Sequence, residues 1–187
     1  MAHIDLPAGL PGIIGLLTAY PHSRKPLNAL ANAVLVGDAS LTRGERELIA
    51  ACTSSGNACN FCRDSHAAAA RHLLFDPGRV VDSAMADPEA APISGKMQAL
   101  LVISDKVRRD GRLVTAQDVQ RAKDAGADER AIHDTVLITA MFCMFNRYVD
   151  GLGTPLPHDR SMFEVIGARI AEHGYGSQFN DGDGGPQ

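Results

Sequence analysis

"LTRGERELIAACTSSGNACNFCRDSHAAAARH", residues 41–72, decides how this chain folds. It opens with Thr42 and Glu45 at capping-box spacing, where a hydroxyl and a carboxylate three residues apart satisfy each other's backbone amides. A helix is therefore expected from about Arg43 to Ser54. "SSGN" breaks it, and Asn57 reads as the N-cap of a second, alanine-rich helix from about Ala58 to Leu74. The second helix carries Cys59, Cys62 and His66 in its first two turns. At spacings of i, i+3 and i+7 the three fall on one helical face.

Outward from this segment the helical signals continue. "PGIIGLLTAY" and "PLNALANAVLVG" read as two short helices separated by the polar turn "PHSRK". Asp76 before Pro77 is a favourable helix start. Met97, Leu100, Leu101, Ile103 and Val107 mark one face of a further helix. Thr115 caps a short helix that stops at Gly126. The longest helix, "DERAIHDTVLITAMFCMFNRYVDGLG", is apolar on all sides at its centre and is expected to be the buried central element, with Met141, Phe142, Met144 and Phe145 in the core. "MFEVIGARIAEHG" is a last amphipathic piece. No strand, repeat or glycine-rich phosphate loop is evident. The expectation is an all-α bundle of about eight helices, one domain over residues 1–174, with residues 175–187, rich in Gly and polar side chains, as a disordered tail.

Composition agrees. The 187 residues are 45% hydrophobic and 21% charged, with 5% aromatics and no Trp, which favours closely packed helices over β-layers. A chain of this length buries about 70% of its unfolded surface as one domain. The net charge of −4 and the lack of a Lys/Arg run argue against nucleic-acid binding. The apolar N-terminal stretch lacks a basic flank and is too short to span a bilayer, so it is expected to pack on the domain, and a cytoplasmic location follows as the default. In a reducing cytosol a close cysteine pair points to catalysis or metal binding before a permanent bridge.

Three chemistries fit "CNFCRDSH". At a helix N-terminus the dipole and unpaired amides favour an anion, so the thiols are expected to be acidified, and an i,i+3 pair can close a disulfide with a small adjustment of the first turn. A metal site is the second possibility, with Cys59, Cys62 and His66 as three ligands; His72, at the far end of the helix, does not join them, and no second C-x-x-C completes a closed site. Two inert buried thiols are the third. Cys52 and Cys143 sit in apolar helical settings and read as inert.

The same string resembles the AhpD-like (alkylhydroperoxidase D) group within the carboxymuconolactone decarboxylase family. A Glu, a C-x-x-C twelve residues on and a His four after the second Cys match Glu47, Cys59, Cys62 and His66, and the later "IHDTVLITAMFCMFNRYVDGLG" is similar to the long helix of the family's peroxidase-related members. The resemblance spans roughly residues 26 to 155. It implies an all-helical fold, assembly into trimers or hexamers, and no metal or organic cofactor. It also assigns roles: Cys62 as the thiol that attacks a hydroperoxide, Cys59 as its resolving partner, and His66 with Glu47 as a proton relay. From the residues alone, Glu47 in "RGERE" belongs to a solvated charge cluster. The implied activity is a thiol-dependent peroxidase re-reduced by a lipoyl-bearing or thioredoxin-like dithiol donor. A dithiol–disulfide oxidoreductase with little peroxide activity and a non-enzymatic metal or regulatory thiol protein are the alternatives. One position departs from the family: Phe61 stands where the well-known alkylhydroperoxidases place a His between the cysteines.

Overall fold

The computed structural model describes residues 2–76 and 79–176. Among these residues there are nine α-helices and no strand. They are α1 (Gly12–Ala19), α2 (Pro21–Leu35), α3 (Arg43–Gly56), α4 (Asn60–Leu74), α5 (Arg79–Ala86), α6 (Gly95–Arg109), α7 (Ala116–Asp124), α8 (Glu129–Gly151) and α9 (Met162–His173). A short 3-10 turn, Gly111–Leu113, joins α6 to α7. The all-α architecture is as the sequence predicts. No helix of the described residues is long and apolar enough to cross a membrane.

Local chemistry sets most of the boundaries. The capping box at Thr42 and Glu45 forms, with Glu45 N donating to Thr42 Oγ1 and Thr42 N to Glu45 Oε2. Thr115 and Asp118 repeat the device at α7, while Ser94 and Asp128 accept from the third amides of α6 and α8. Pro21 begins α2, so "PHSRK" is that helix's first turn and not a linker. A proline there suits the helix because its missing N–H would have had no intrahelical partner.

The α3–α4 turn differs from its sequence reading. Asn57 is the C-cap of α3, Ala58 is left-handed at φ 59°, and Cys59, not Asn57, occupies the N-cap position of α4. The Asn57 side chain is committed elsewhere: its amide donates to Asn146 Oδ1 at 2.9 Å on α8. Cys59 therefore stands just ahead of the helix that carries Cys62 and His66.

Helix α4 packs chiefly against α3 and α9. Small residues make that approach possible: Ala67, Ala68, Ala69 and Ala70 are all at most 1% exposed. Where α9 crosses, a Cβ on Gly167 would lie 2.5 Å from Ala68 Cβ and 2.7 Å from the α4 backbone, so only glycine fits. The main core joins α3, α6 and α8 through Leu48, Ile49, Leu100, Ile103, Ile138 and Phe142. Each such side chain contributes about 1.5–3 kcal/mol when removed from water. A second cluster gathers Cys59, Phe61 and Cys62 with Val149, Phe163, Ile166 and Ile170.

Helix α8 is apolar on all sides at its centre, as expected, but it is not buried on all sides. Ile138, Met141, Phe142 and Phe145 are buried, whereas Val136, Leu137 and Met144 are 36%, 38% and 43% exposed. The apolar content of the segment exceeds what the described residues cover.

Candidate active site

The charge cluster "RGERE" turns inward. Arg43 donates to Ile170 O and Ala171 O at the end of α9, and Arg46 to Val34 O and Gly37 O at the end of α2. Both guanidinium groups thus satisfy carbonyls that a helix C-terminus leaves unpaired. Glu47, on the same turn, is 1% exposed, which overturns its reading as a solvated residue.

Glu47 faces α4. Its Oε2 lies 2.7 Å from His66 Nδ1, and its Oε1 accepts a hydrogen bond from the Tyr175 hydroxyl at 2.7 Å. The Tyr175 oxygen is also 3.3 Å from His66 Nδ1. A carboxylate only accepts, so His66 donates through Nδ1 and Nε2 is left as the basic nitrogen of the neutral ring. Phe142 packs edge-on against the imidazole at 4.5 Å between centroids, and the Tyr175 ring lies nearly parallel to it at 6.2 Å.

Tyr175 was placed by sequence in the tail. It belongs to the site because Gly174, at φ 68°, ends α9 and turns the chain back across α2. There Tyr175 N donates to Asn32 Oδ1 at 2.8 Å, and Asn32 Nδ2 donates to Tyr175 O. A glycine stop followed at once by an aromatic ("EHGYG") was the available signal. The remaining tail, residues 177–187, lies outside the described residues.

The two cysteines differ in access. Cys62 lines a cavity of about 60 Å³ together with His66, Ser65, Tyr175, Phe61 and apolar side chains of α1, α2, α8 and α9. Cys59 is fully buried behind it and does not line the cavity. All four cysteines are free, and the Cys62 sulfur lies close to Cys59. That neighbour, followed by burial, pushes Cys62 well above the ordinary thiol range, and the nearby Asn146 amide opposes the shift. The acidification expected from the helix terminus is therefore not what these surroundings favour: the neighbouring sulfur and burial both raise the thiol. Tyr175 is likewise held well above the usual phenol range, first by burial and then by the Glu47 charge, so it remains a donor.

Asn146 was also not singled out by sequence. It is 2% exposed, donates to Ser54 Oγ at 3.1 Å and accepts from Asn57. A lone polar side chain within "AMFCMFNRYV" was its only mark. Phe61 packs against Phe163 and fills the face of Gly12, where a Cβ would sit 2.3 Å from the ring. Of the remaining cysteines, Cys52 is pushed up to about 12 by burial. Cys143 is half-buried, and its sulfur accepts from Asn57 Nδ2 at 3.5 Å, so its surroundings are partly polar. Among the described residues no three His, Cys, Asp or Glu side chains converge in an arrangement that could hold a metal ion.

Comparison with known proteins agrees with this geometry. Residues 21–104 match the model of the carboxymuconolactone decarboxylase family. No curated protein sequence matches the chain. Among solved structures, an uncharacterized peroxidase-related protein from Ralstonia eutropha JMP134, with an alkylhydroperoxidase AhpD core, superimposes with a TM-score of 0.75 at 29% identity, over 84% of this chain and 80% of its own. An uncharacterized peroxidase-related protein from Silicibacter sp. TM1040 shares the fold with a TM-score of 0.74 at 24% identity, over 87% and 94% of the two chains. A protein of unknown function from Agrobacterium tumefaciens shares it with a TM-score of 0.65 at 20% identity, over 79% and 99%. With the Glu47–Cys59–Cys62–His66 arrangement, the chain is similar to the carboxymuconolactone decarboxylase family over residues 21–104, and over most of its length to an AhpD-core, peroxidase-related structure.

Proposed function

We propose that this protein is a thiol-dependent peroxidase that reduces hydroperoxides through a Cys62–Cys59 dithiol/disulfide cycle. One observation carries the reading: Cys62 lines the cavity beside His66, which is itself held by Glu47, while Cys59 stands behind it within reach of its sulfur.

Because Cys62 is held protonated, the base must act during attack. His66 Nε2 takes the thiol proton as the sulfur attacks the distal peroxide oxygen. The O–O bond breaks, Cys62 becomes a sulfenic acid, and the departing alkoxide takes that proton back from His66 to leave as the alcohol. Glu47 offsets the imidazolium charge formed on the way. The Cys59 thiol then attacks the sulfenic sulfur, forming the disulfide and releasing water. An external dithiol restores both thiols by exchange and is itself oxidised to a disulfide. Cys62 is 3% exposed, which favours a slender dithiol such as a lipoyl arm over a donor that needs a broad contact. The same burial argues against a protein disulfide as substrate; the dithiol-oxidoreductase alternative is separated by comparing rates with hydroperoxide and with a lipoamide disulfide.

A homo-oligomer, trimer or hexamer, is part of this proposal. It is supported by the exposed Val136, Leu137 and Met144 on α8, which the other described residues leave uncovered.

The deciding test is thiol counting by intact mass after one equivalent of an alkyl hydroperoxide. The native chain is expected to lose two hydrogens, mapped to Cys59 and Cys62. Cys62→Ser is expected to consume no peroxide, and Cys59→Ser to stop at a sulfenic acid trapped by dimedone. Substantial peroxide consumption by the Cys62→Ser protein would reject the assignment.

A further inference from the structure

Most buried hydroxyls of the described residues have partners; those of Thr18, Ser65 and Thr154 do not. Thr53 donates to Ile49 O, Thr135 to Ala131 O and Thr139 to Thr135 O, each using the carbonyl one turn back. Ser54 accepts from Asn146, and Ser104 shares bonds with Thr53 and Thr139. Ser65 is 2% exposed, and its Oγ has no hydrogen-bond partner among the protein's atoms. It stands on α4, where the Phe61 carbonyl one turn back would have been the equivalent acceptor. Leaving a buried hydroxyl unpaired costs about 1–3 kcal/mol. After His66 comes a run of four buried alanines, so a serine here is not required for helix packing.

Its place supplies the reason. Ser65 lines the same cavity as Cys62 and His66. It lies three residues beyond Cys62, so both project from one side of the helix. The other buried hydroxyls without partners, Thr18 and Thr154, do not line that cavity. The rest of the wall is apolar where it is formed by Ile13, Leu17, Phe145 and Ile166.

We infer that Ser65 is the substrate-binding hydroxyl of this site, and that the ligand is the hydroperoxide of a compact alkyl group. The serine accepts from the terminal O–H of the peroxide and donates to its inner oxygen, while the alkyl part rests on the apolar wall. A hydroxyl serves both directions, which a neutral peroxide requires, and it places the distal oxygen toward the sulfur one turn away. The inference rests on the peroxidase reading of the same cavity. It adds a specificity: the substrate is recognised through its O–OH group and a small apolar body, not through a charged or extended one.

The test separates binding from chemistry. Cys62→Ser protein cannot turn over, so tert-butyl hydroperoxide can be titrated into it and followed by the NMR signals of the Ser65 and His66 amides. Saturable binding is expected, about tenfold weaker in the Cys62→Ser, Ser65→Ala double variant, the equivalent of ~1.4 kcal/mol. In the otherwise native chain, Ser65→Ala is expected to melt no lower than the parent, because it deletes an unpartnered group. Equal affinities, no binding to the Cys62→Ser protein, or a clear loss of melting temperature in Ser65→Ala would each overturn the assignment. Failure of the peroxidase reading shows differently: the native chain would keep its free thiols with hydroperoxide present, whatever the Cys62→Ser protein binds.

Discussion

Replacing Tyr175 by Phe removes a single oxygen and tests whether the C-terminal turn belongs to the relay. The ring stays against His66, but Glu47 loses the donor at 2.7 Å on its Oε1. At 1% exposure the carboxylate cannot recover that bond from bulk water. A hydrogen bond to a charged group contributes about 1.5–3 kcal/mol. At about 2–4 °C per kcal/mol for a domain of this size, Tyr175→Phe is expected to melt roughly 3–12 °C lower by calorimetry. If about 1.4 kcal/mol of that bond acts while His66 carries the transferred proton, disulfide formation slows about tenfold. Rapid mixing with hydroperoxide, acid quench and thiol counting by mass measures that rate.

A pH signature distinguishes this account from simple loss of packing. In the fold Tyr175 ionises well above the ordinary tyrosine value, so above about pH 10 the unfolded chain releases a proton that the native chain keeps. Its contribution to stability is complete below that pH and is lost as the pH rises beyond it. Tyr175→Phe is expected to abolish this part of the alkaline loss of stability. An unchanged melting temperature together with a native rate of disulfide formation would refute the role given to Tyr175. So would an alkaline limb that persists unaltered in the variant.

The raised ionisation of Cys62 gives a second pH dependence: with iodoacetamide, its labelling in the reduced protein is expected to be slow at neutral pH and to keep rising beyond the ordinary thiol value of about 8.5. Labelling that saturates near neutral pH would mean a preformed thiolate and would remove the need for His66 during attack. Gly167→Ala places a methyl 2.5 Å from Ala68 Cβ and 2.7 Å from the α4 backbone, so it is expected to cost about 1–3 kcal/mol. Denaturant unfolding measures that loss, and a neutral result would show that the α4–α9 crossing is not set by this contact.

How far the site could be read from sequence depended on the range of the forces involved. The capping box at Thr42 is local, and it was legible because its partners are three residues apart. Cys59, Cys62 and His66 were legible from their own spacing, whereas Glu47 was legible only through family resemblance. Nothing in "RGERE" says that Arg43 and Arg46 reach the ends of two other helices and draw Glu47 inside with them. The Asn57 cap failed for the same reason in reverse: an asparagine with a strong local preference found a better partner in Asn146, 89 residues away. Tyr175 was lost to a composition argument, since a Gly-rich tail reads as tail until one residue is seen to fold back.

The thiol is where local reasoning misleads most, and the mechanism depends on it. Position within a helix's first turn predicts an acidic cysteine, yet Cys62 lies beside a second sulfur and is buried, and both raise its ionisation. A protonated attacking thiol needs a base in place, and a buried base needs its counter-charge fixed. Glu47 supplies that charge, and Tyr175 steadies it from the far end of the chain. Phe61, the departure from the family pattern, is consistent with this arrangement. The position between the cysteines is pressed against Gly12 and Phe163, and a phenylalanine there carries no proton. In the proposed mechanism the proton therefore passes through His66, with Tyr175 holding the other oxygen of Glu47.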